Sequence, residues 1–144
     1  VVIGFAADME PVRLQVETTE RAQLVDLTER VRQVVRASGI ASGLCHVFCP
    51  HTTAGLTVNE NADPDVSHDL LLALRNAVPA EASPGRYRHG EGNSDAHVKA
   101  SLVGAWQLLP VEGGALVLGT WQGVFLCEFD GPRRRTVQVK VIAG

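Results

Sequence analysis

Long apolar runs are missing from this chain of 144 residues: the longest, such as Ala115–Leu118 and Val124–Cys127, fall far below the roughly 18 residues a membrane span requires. No membrane partner is expected. A basic surplus is missing as well. Lys and Arg number 13 against 16 Asp and Glu, a formal net charge of −3, and such a balance lacks the cations needed to neutralise the phosphates of a nucleic acid. Cysteine is scarce. Cys45, Cys49 and Cys127 are odd in number, form no CxxC pair and sit in apolar, strand-like runs, so they read as buried thiols and not as a structural zinc site. The N-terminus lacks the basic-then-apolar order of a secretory signal, and the expected location is cytoplasmic by default. No internal repeat is visible.

What is present fits one globular domain over residues 1–144. With 45% hydrophobic and 20% charged residues, the chain is long enough to bury roughly two-thirds of the surface its unfolded form would expose. Val12, Leu14 and Val16 alternate with polar residues and predict a strand over 12–18. Asp26 with Glu29 makes a capping-box-like start, and Leu27, Val31 and Val34 continue at helical spacing until Gly39. Two strands then flank a turn at His51, one over about 43–49 and one through Leu56 and Val58. Asp63 followed by Pro64 predicts a second helix over about 64–77 with an apolar stripe of Val66, Leu70, Leu74 and Ala77. Residues 79–93 read as a long loop carrying His89, and Ser94–Val103 as a short helix ended by Gly104. The remainder predicts strands at Trp106–Val111, Ala115–Thr120, Val124–Phe129 and Thr136–Ile142 joined by tight turns, hence antiparallel pairing. The expected fold class is α+β: a β-sandwich of mostly antiparallel strands, about seven in number, with two or three helices packed outside.

Chemistry concentrates in Pro50–Asp69, PHTTAGLTVNENADPDVSHD. His51, His68, His89 and His97 come from a turn, a helix, a loop and another helix start, and neutral imidazoles from separate segments are common metal ligands. No HExxH-like pair imposes that geometry, so separate capping or solvated roles stay open. Glu60 and Asp69 can act as oxygen ligands or as a general base, or as turn and cap residues. Glu128 shares a strand face with Val124 and Leu126, and a carboxylate there needs a partner: an arginine of Arg133–Arg135, a histidine or a neighbouring subunit. Arg133 and Lys99 are candidate anion contacts, helped by helix N-termini after Asp63 and at Ser94, although an arginine run is also a solvated strand edge. Asn59 and Asn61 flank Glu60, facing opposite to it. Trp121 suits an interface, and Gln122 can reach a ligand.

The segments HTTAGLTVNENADPDVSHDL (51–70), YRHGEGNSDAHVKASLVG (87–104) and LGTWQGVFLCEFDGPRRRTV (118–137) resemble the YjbQ family, UPF0047. The resemblance runs over nearly the whole chain and is loosest before Gly43. It implies a small β-sandwich protein, a homotrimer, with a secondary thiamine-phosphate synthase activity that joins a pyrimidine diphosphate to a thiazole phosphate and releases diphosphate. It also implies an associated divalent metal, zinc in some members, at matching positions among His51, Glu60, His68, Asp69, His89, His97 and Glu128. The combined expectation is a metal-associated enzyme acting on a phosphorylated small molecule. His51, His68 and His97 would hold the metal; Glu60, Asp69 and Glu128 would be catalytic; Asn59, Lys99, Gln122 and Arg133 would bind substrate. The alternative is a non-catalytic trimeric module that holds a metal or an anion.

Overall fold

The computed structural model describes residues 10–81 and 86–144; positions 82–85, inside the long loop expected over 79–93, lie outside the described residues. Among the described residues, eight strands and three helices follow one another as β1 (Val12–Glu17), β2 (Gln23–Asp26), α1 (Thr28–Ser38), β3 (Gly43–Phe48), β4 (Ala54–Glu60), α2 (Pro64–Ala77), α3 (Ser94–Val103), β5 (Trp106–Glu112), β6 (Ala115–Leu116), β7 (Gln122–Glu128) and β8 (Arg134–Ala143). They build two antiparallel sheets, one of five strands ordered β1-β8-β3-β5-β6 and one of three ordered β2-β7-β4. The α+β sandwich expected from the strand pattern is the observed architecture.

Alternation along the strands explains the layers. In β8, Val137, Val139 and Val141 are buried and point inward, as do Cys45 and Val47 of β3; they meet Leu56, Val124 and Leu126 of the smaller sheet and Val31, Val34 and Val35 of α1 in one core. The other face of β7 is covered too. Cys127, with Phe129 just beyond the strand, packs with Leu24, Leu71, Leu74, Ala96, Ala100 and Val103 under α2 and α3, so β7 is buried on both sides.

The helices sit at different depths. α3 lies close on β4 because position 55 is glycine: a Cβ there would come within 2.6 Å of the Gly104 carbonyl oxygen. α2 lies high, with no fully buried residue, and its expected apolar stripe appears as half-buried Val66, Leu70 and Leu74 with Ala77 exposed.

Three local expectations change. Strand β2 carries no alternation strong enough to be seen in sequence and exists through its pairing with β7, from Gln23↔Glu128 to Asp26↔Phe125. That pairing keeps Asp26 in the strand, so the helix cap position passes to Leu27, while the Asp26 carboxylate accepts from the Thr28 N–H at 2.8 Å and the Thr28 hydroxyl at 2.5 Å. The strand expected over Ala115–Thr120 ends at Leu116; a last bond from Val117 N–H to the Pro110 carbonyl precedes a turn closed by Gln122 N–H on the Gly119 carbonyl.

Candidate functional site

Strand register sorts the expected site residues before any side chain is considered. β4 and β7 pair from Ala54↔Glu128 at one end to Asn59↔Gly123 and Glu60↔Gln122 at the other, and the six steps between Ala54 and Glu60 span about 20 Å. Glu60, Asn59, Gln122 and Trp121 therefore occupy one rim of the small sheet. His51, Glu128 and Arg133 occupy the opposite rim, where α3 also begins, tied by an Asn93 amide N–H to the Asp130 carboxylate at 2.9 Å.

At that second rim Glu128 is fully buried. One carboxylate oxygen accepts from the backbone N–H groups of Phe129 and Asp130 (3.0 and 2.9 Å) and from Arg135 (2.5 Å). The other accepts from the Thr18 hydroxyl at 2.9 Å and Arg135 Nε at 2.7 Å. Burial pushes this carboxyl up, and the hydrogen bonds from Arg135, the Asp130 N–H and Thr18 outweigh it, holding Glu128 below the usual carboxylate range. With five donors on it, the carboxylate serves as an anchor between the two sheets, since Arg135 belongs to β8. Arg135 also donates to the Thr53 hydroxyl at 2.8 Å. The partner that sequence reasoning required is thus the third arginine of the run. Arg134 goes to Glu17 and Arg133 to Asp130 (2.9 Å) on the exposed side.

His51 works as a strand extender. β3 pairs with β8 only as far as Phe48↔Gln138; beyond that point the Thr136 N–H has no strand partner and donates to His51 Nε2 at 3.0 Å. A backbone N–H can only donate, so Nε2 carries a lone pair and the ring proton is on Nδ1. Burial, with the Arg135 charge beside it, holds this imidazole below its ordinary value.

His68 and Asp69 stand exposed on α2 and face each other at 3.0 Å. His97 meets His89: their rings lie edge to face with centroids 5.3 Å apart, and His89 Nε2 is 3.6 Å from the Glu91 carboxylate. The metal set expected from His51, His68 and His97 therefore does not assemble within one chain. Among the described residues no group of three or more His, Cys, Asp or Glu side chains is placed to hold a metal ion.

Two expected residues do come together. Because α2 rides high over the outer face of the small sheet, it leaves a cavity of about 440 Å³ lined by Arg21, His68, Leu71, Arg75, Asp95, Lys99 and Phe129, among others. Its cations come from three elements: Arg21 precedes β2, Arg75 lies in the last turn of α2, and Lys99 is on α3. Asp95, almost fully buried, receives Lys99 Nζ at 2.9 Å and Arg21 at 3.3 Å, and Arg21 also lies 3.7 Å from Asp130. Leu71, Leu72, Leu74 and Phe129 make the rest of the wall apolar. Such a pocket accepts an anion at one end and an apolar body at the other. Sequence reasoning missed Arg21, Arg75 and Asp95; the i,i+4 spacing of Asp95 and Lys99 was a readable signal, whereas Arg21 and Arg75 had none.

A five-stranded sheet facing a three-stranded one, with two helices bridging a cationic pocket on the outer face, defines a small α+β sandwich protein. The family profile described as UPF0047 protein YjbQ-like matches residues 12–144. The UPF0047 protein YugU of Bacillus subtilis is 50% identical over 129 residues, covering 90% of this chain and 96% of the relative; the UPF0047 protein MJ1081 of Methanocaldococcus jannaschii is 46% identical over 130 residues, covering 90% and 92%. Among solved structures, a YjbQ/UPF0047 protein of Clostridium acetobutylicum superposes with a TM-score of 0.87 at 50% identity, covering 91% of this chain and 99% of that one. A YbjQ-like protein of unknown function from Sulfolobus solfataricus gives 0.88 at 35% identity, covering 94% and 97%. The chain belongs to the YjbQ-like UPF0047 family.

Proposed function

We propose that this protein is a small transferase-type enzyme acting on a phosphorylated small molecule, and that the cavity beneath α2 receives the substrate. The observation that carries this reading is the convergence of Arg21, Arg75 and Lys99 on one pocket whose remaining wall is apolar. In the reaction the family resemblance implies, the pyrimidine's methylene carbon forms a bond to the thiazole nitrogen while its bond to the diphosphate oxygen breaks, and the diphosphate leaves with the electron pair. Guanidinium and ammonium groups stabilise that departing charge, and they do so more strongly in a partly water-excluded pocket than in bulk solvent. Secondary thiamine-phosphate synthase activity is thus the proposed chemistry. Cytoplasmic placement and homotrimeric assembly belong to the same proposal; exposed Leu44, Trp106, Leu108 and Ile142 on the outer face of the large sheet supply apolar surface for copies to share.

Titration calorimetry with inorganic diphosphate tests the reading, on the wild type and on Arg75→Gln, whose exposed side chain can be changed without touching the core. Wild type is expected to bind, and losing one charge-assisted contact should weaken binding about tenfold or more. Absence of binding at millimolar ligand, or equal affinity in the variant, overturns the site. A second reading, a non-catalytic anion-binding module, is favoured by one observation: the cavity carboxylate, Asp95, is held by Arg21 and Lys99 and so is not a free base for catalysis. Diphosphate binding without any thiamine phosphate formed from the two substrates would select it.

A further inference from the structure

We propose that the cavity beneath α2 selects the diphosphate ester of a short aliphatic alcohol, of the isoprenyl class, over the heteroaromatic pyrimidine diphosphate. The inference rests on the reading of this cavity as the diphosphate site and narrows what the rest of the ligand must be. Charge defines one part of the pocket. Arg21, Arg75 and Lys99 stand against a single carboxylate, Asp95, a surplus of two positive charges among the described lining residues. Each Asp95 oxygen is engaged, one by Lys99 at 2.9 Å and the other by Arg21 at 3.3 Å, which holds the two cations in place before a ligand arrives.

The rest of the wall is hydrocarbon. Ala22, Leu71, Leu72, Leu74, Ala80 and Phe129 supply it, and the described lining residues include no hydroxyl or amide side chain. An aminopyrimidine covered there would need an acceptor for its amino group, because a polar group that leaves water unpaired is destabilised. Both Asp95 oxygens are taken, and His68 Nδ1 lies 3.0 Å from the Asp69 carboxylate. Among the described lining side chains, His68 Nε2 is the one acceptor left. A hydrocarbon needs no such partner. Its transfer from water onto leucine and phenylalanine surface is favourable in proportion to the area covered.

Helical spacing sets the distance between the two parts. His68, Leu71, Leu72 and Arg75 fall at i, i+3, i+4 and i+7 of α2, one stripe of the helix. The two leucines are thus one turn from Arg75, about 5–6 Å between Cβ atoms, so a chain esterified to a phosphate held by Arg75 meets them within its first carbons. These side chains are also under-covered. α2 has no fully buried residue; Leu71 and Leu74 are half-buried although they pack with Phe129, Ala96 and Ala100, and Leu72 is 37% exposed. The cavity of about 440 Å³ lies within the range of about 300–1,000 Å³ that small-molecule sites occupy. A short branched chain would cover apolar surface that the packing of the protein leaves open to water.

Titration calorimetry of the full chain with a series of ligands separates the two readings. Inorganic diphosphate reports the anion site by itself, methyl diphosphate carries the ester charge without a tail, and dimethylallyl diphosphate adds one isoprene unit. Dimethylallyl diphosphate should bind about tenfold or more tightly than either methyl diphosphate or the pyrimidine diphosphate of the proposed reaction. No binding of inorganic diphosphate overturns the diphosphate site and this inference with it. Binding of inorganic diphosphate with no gain from the dimethylallyl tail, or an equal or higher affinity for the pyrimidine ester, overturns the aliphatic preference alone. Leu72→Asn puts a polar group into the wall at a position too exposed to support the core. In it the ratio of dimethylallyl to methyl diphosphate affinity should fall about fivefold or more; an unchanged ratio overturns the placement of the tail against α2.

Discussion

Replacing Glu128 by leucine would leave the Arg135 guanidinium between the two sheets with only Thr53 as a partner. Both side chains are inaccessible, at 0% for Glu128 and 5% for Arg135, so solvent cannot take over the lost bonds. The change also takes the Glu128 acceptor from the Asp130 N–H, whereas the Phe129 N–H keeps the Thr53 carbonyl and the Thr18 hydroxyl keeps the Arg133 carbonyl. Breaking a buried ion pair on one side costs about 3–5 kcal/mol, a large part of the roughly 5–15 kcal/mol that a domain possesses. For a chain of this length the midpoint of thermal unfolding should fall by about 10 °C. Urea unfolding followed by far-UV circular dichroism measures the loss. Exchanging both partners, Glu128→Leu with Arg135→Met, should recover most of it, because two apolar groups leave no buried charge uncompensated. A single variant within about 1 kcal/mol of wild type would refute the reasoning, as would a double variant no more stable than the single one. The sign in acid follows from the same bonds. A carboxyl held below its ordinary 4.5 in the folded protein contributes stability that is present above that value and lost as pH falls through the folded one.

His51 should add an acid sensitivity of its own at milder pH. Its imidazole titrates below 6.5 when folded, so the unfolded chain binds the proton first and stability declines as pH drops from about 6.5 toward the folded value; His51→Gln should flatten that portion of the stability–pH curve, and an unchanged curve would refute the role. The thiols give a folded-state marker: burial pushes Cys45 up to about 11 and Cys127 up to about 12, so neither should react with an aromatic disulfide at pH 8 until urea unfolds the chain. Rapid labelling of the native protein at either position would contradict the placement.

The fold was largely legible because its signals are local. Alternation marked β1 and β4 and an apolar run marked β3, while Pro64 after Asp63 and Gly104 after Val103 bounded α2 and α3. Strand β2 was not legible: Gln23–Asp26 is half-exposed and gains its extended form from hydrogen bonds to β7, about a hundred residues later in the chain. The candidate site was legible as an inventory and not as an arrangement. His68 and Lys99 share a cavity and His97 meets His89, but His51 is taken up by the Thr136 N–H and Glu128 by Arg135.

Composition and spacing by themselves determined the α+β class, the buried cysteines and which polar residues stand out, because these depend on neighbours within a few positions, and the motif blocks at 51–70, 87–104 and 118–137 carried the family resemblance. Only the tertiary structure decided which of those residues meet. The register of β4 on β7 sends Glu60 and Glu128 to opposite rims, and the height of α2 opens a pocket for Arg21, Arg75 and Lys99. Both are consequences of long-range backbone pairing and side-chain packing, which a local pattern does not encode.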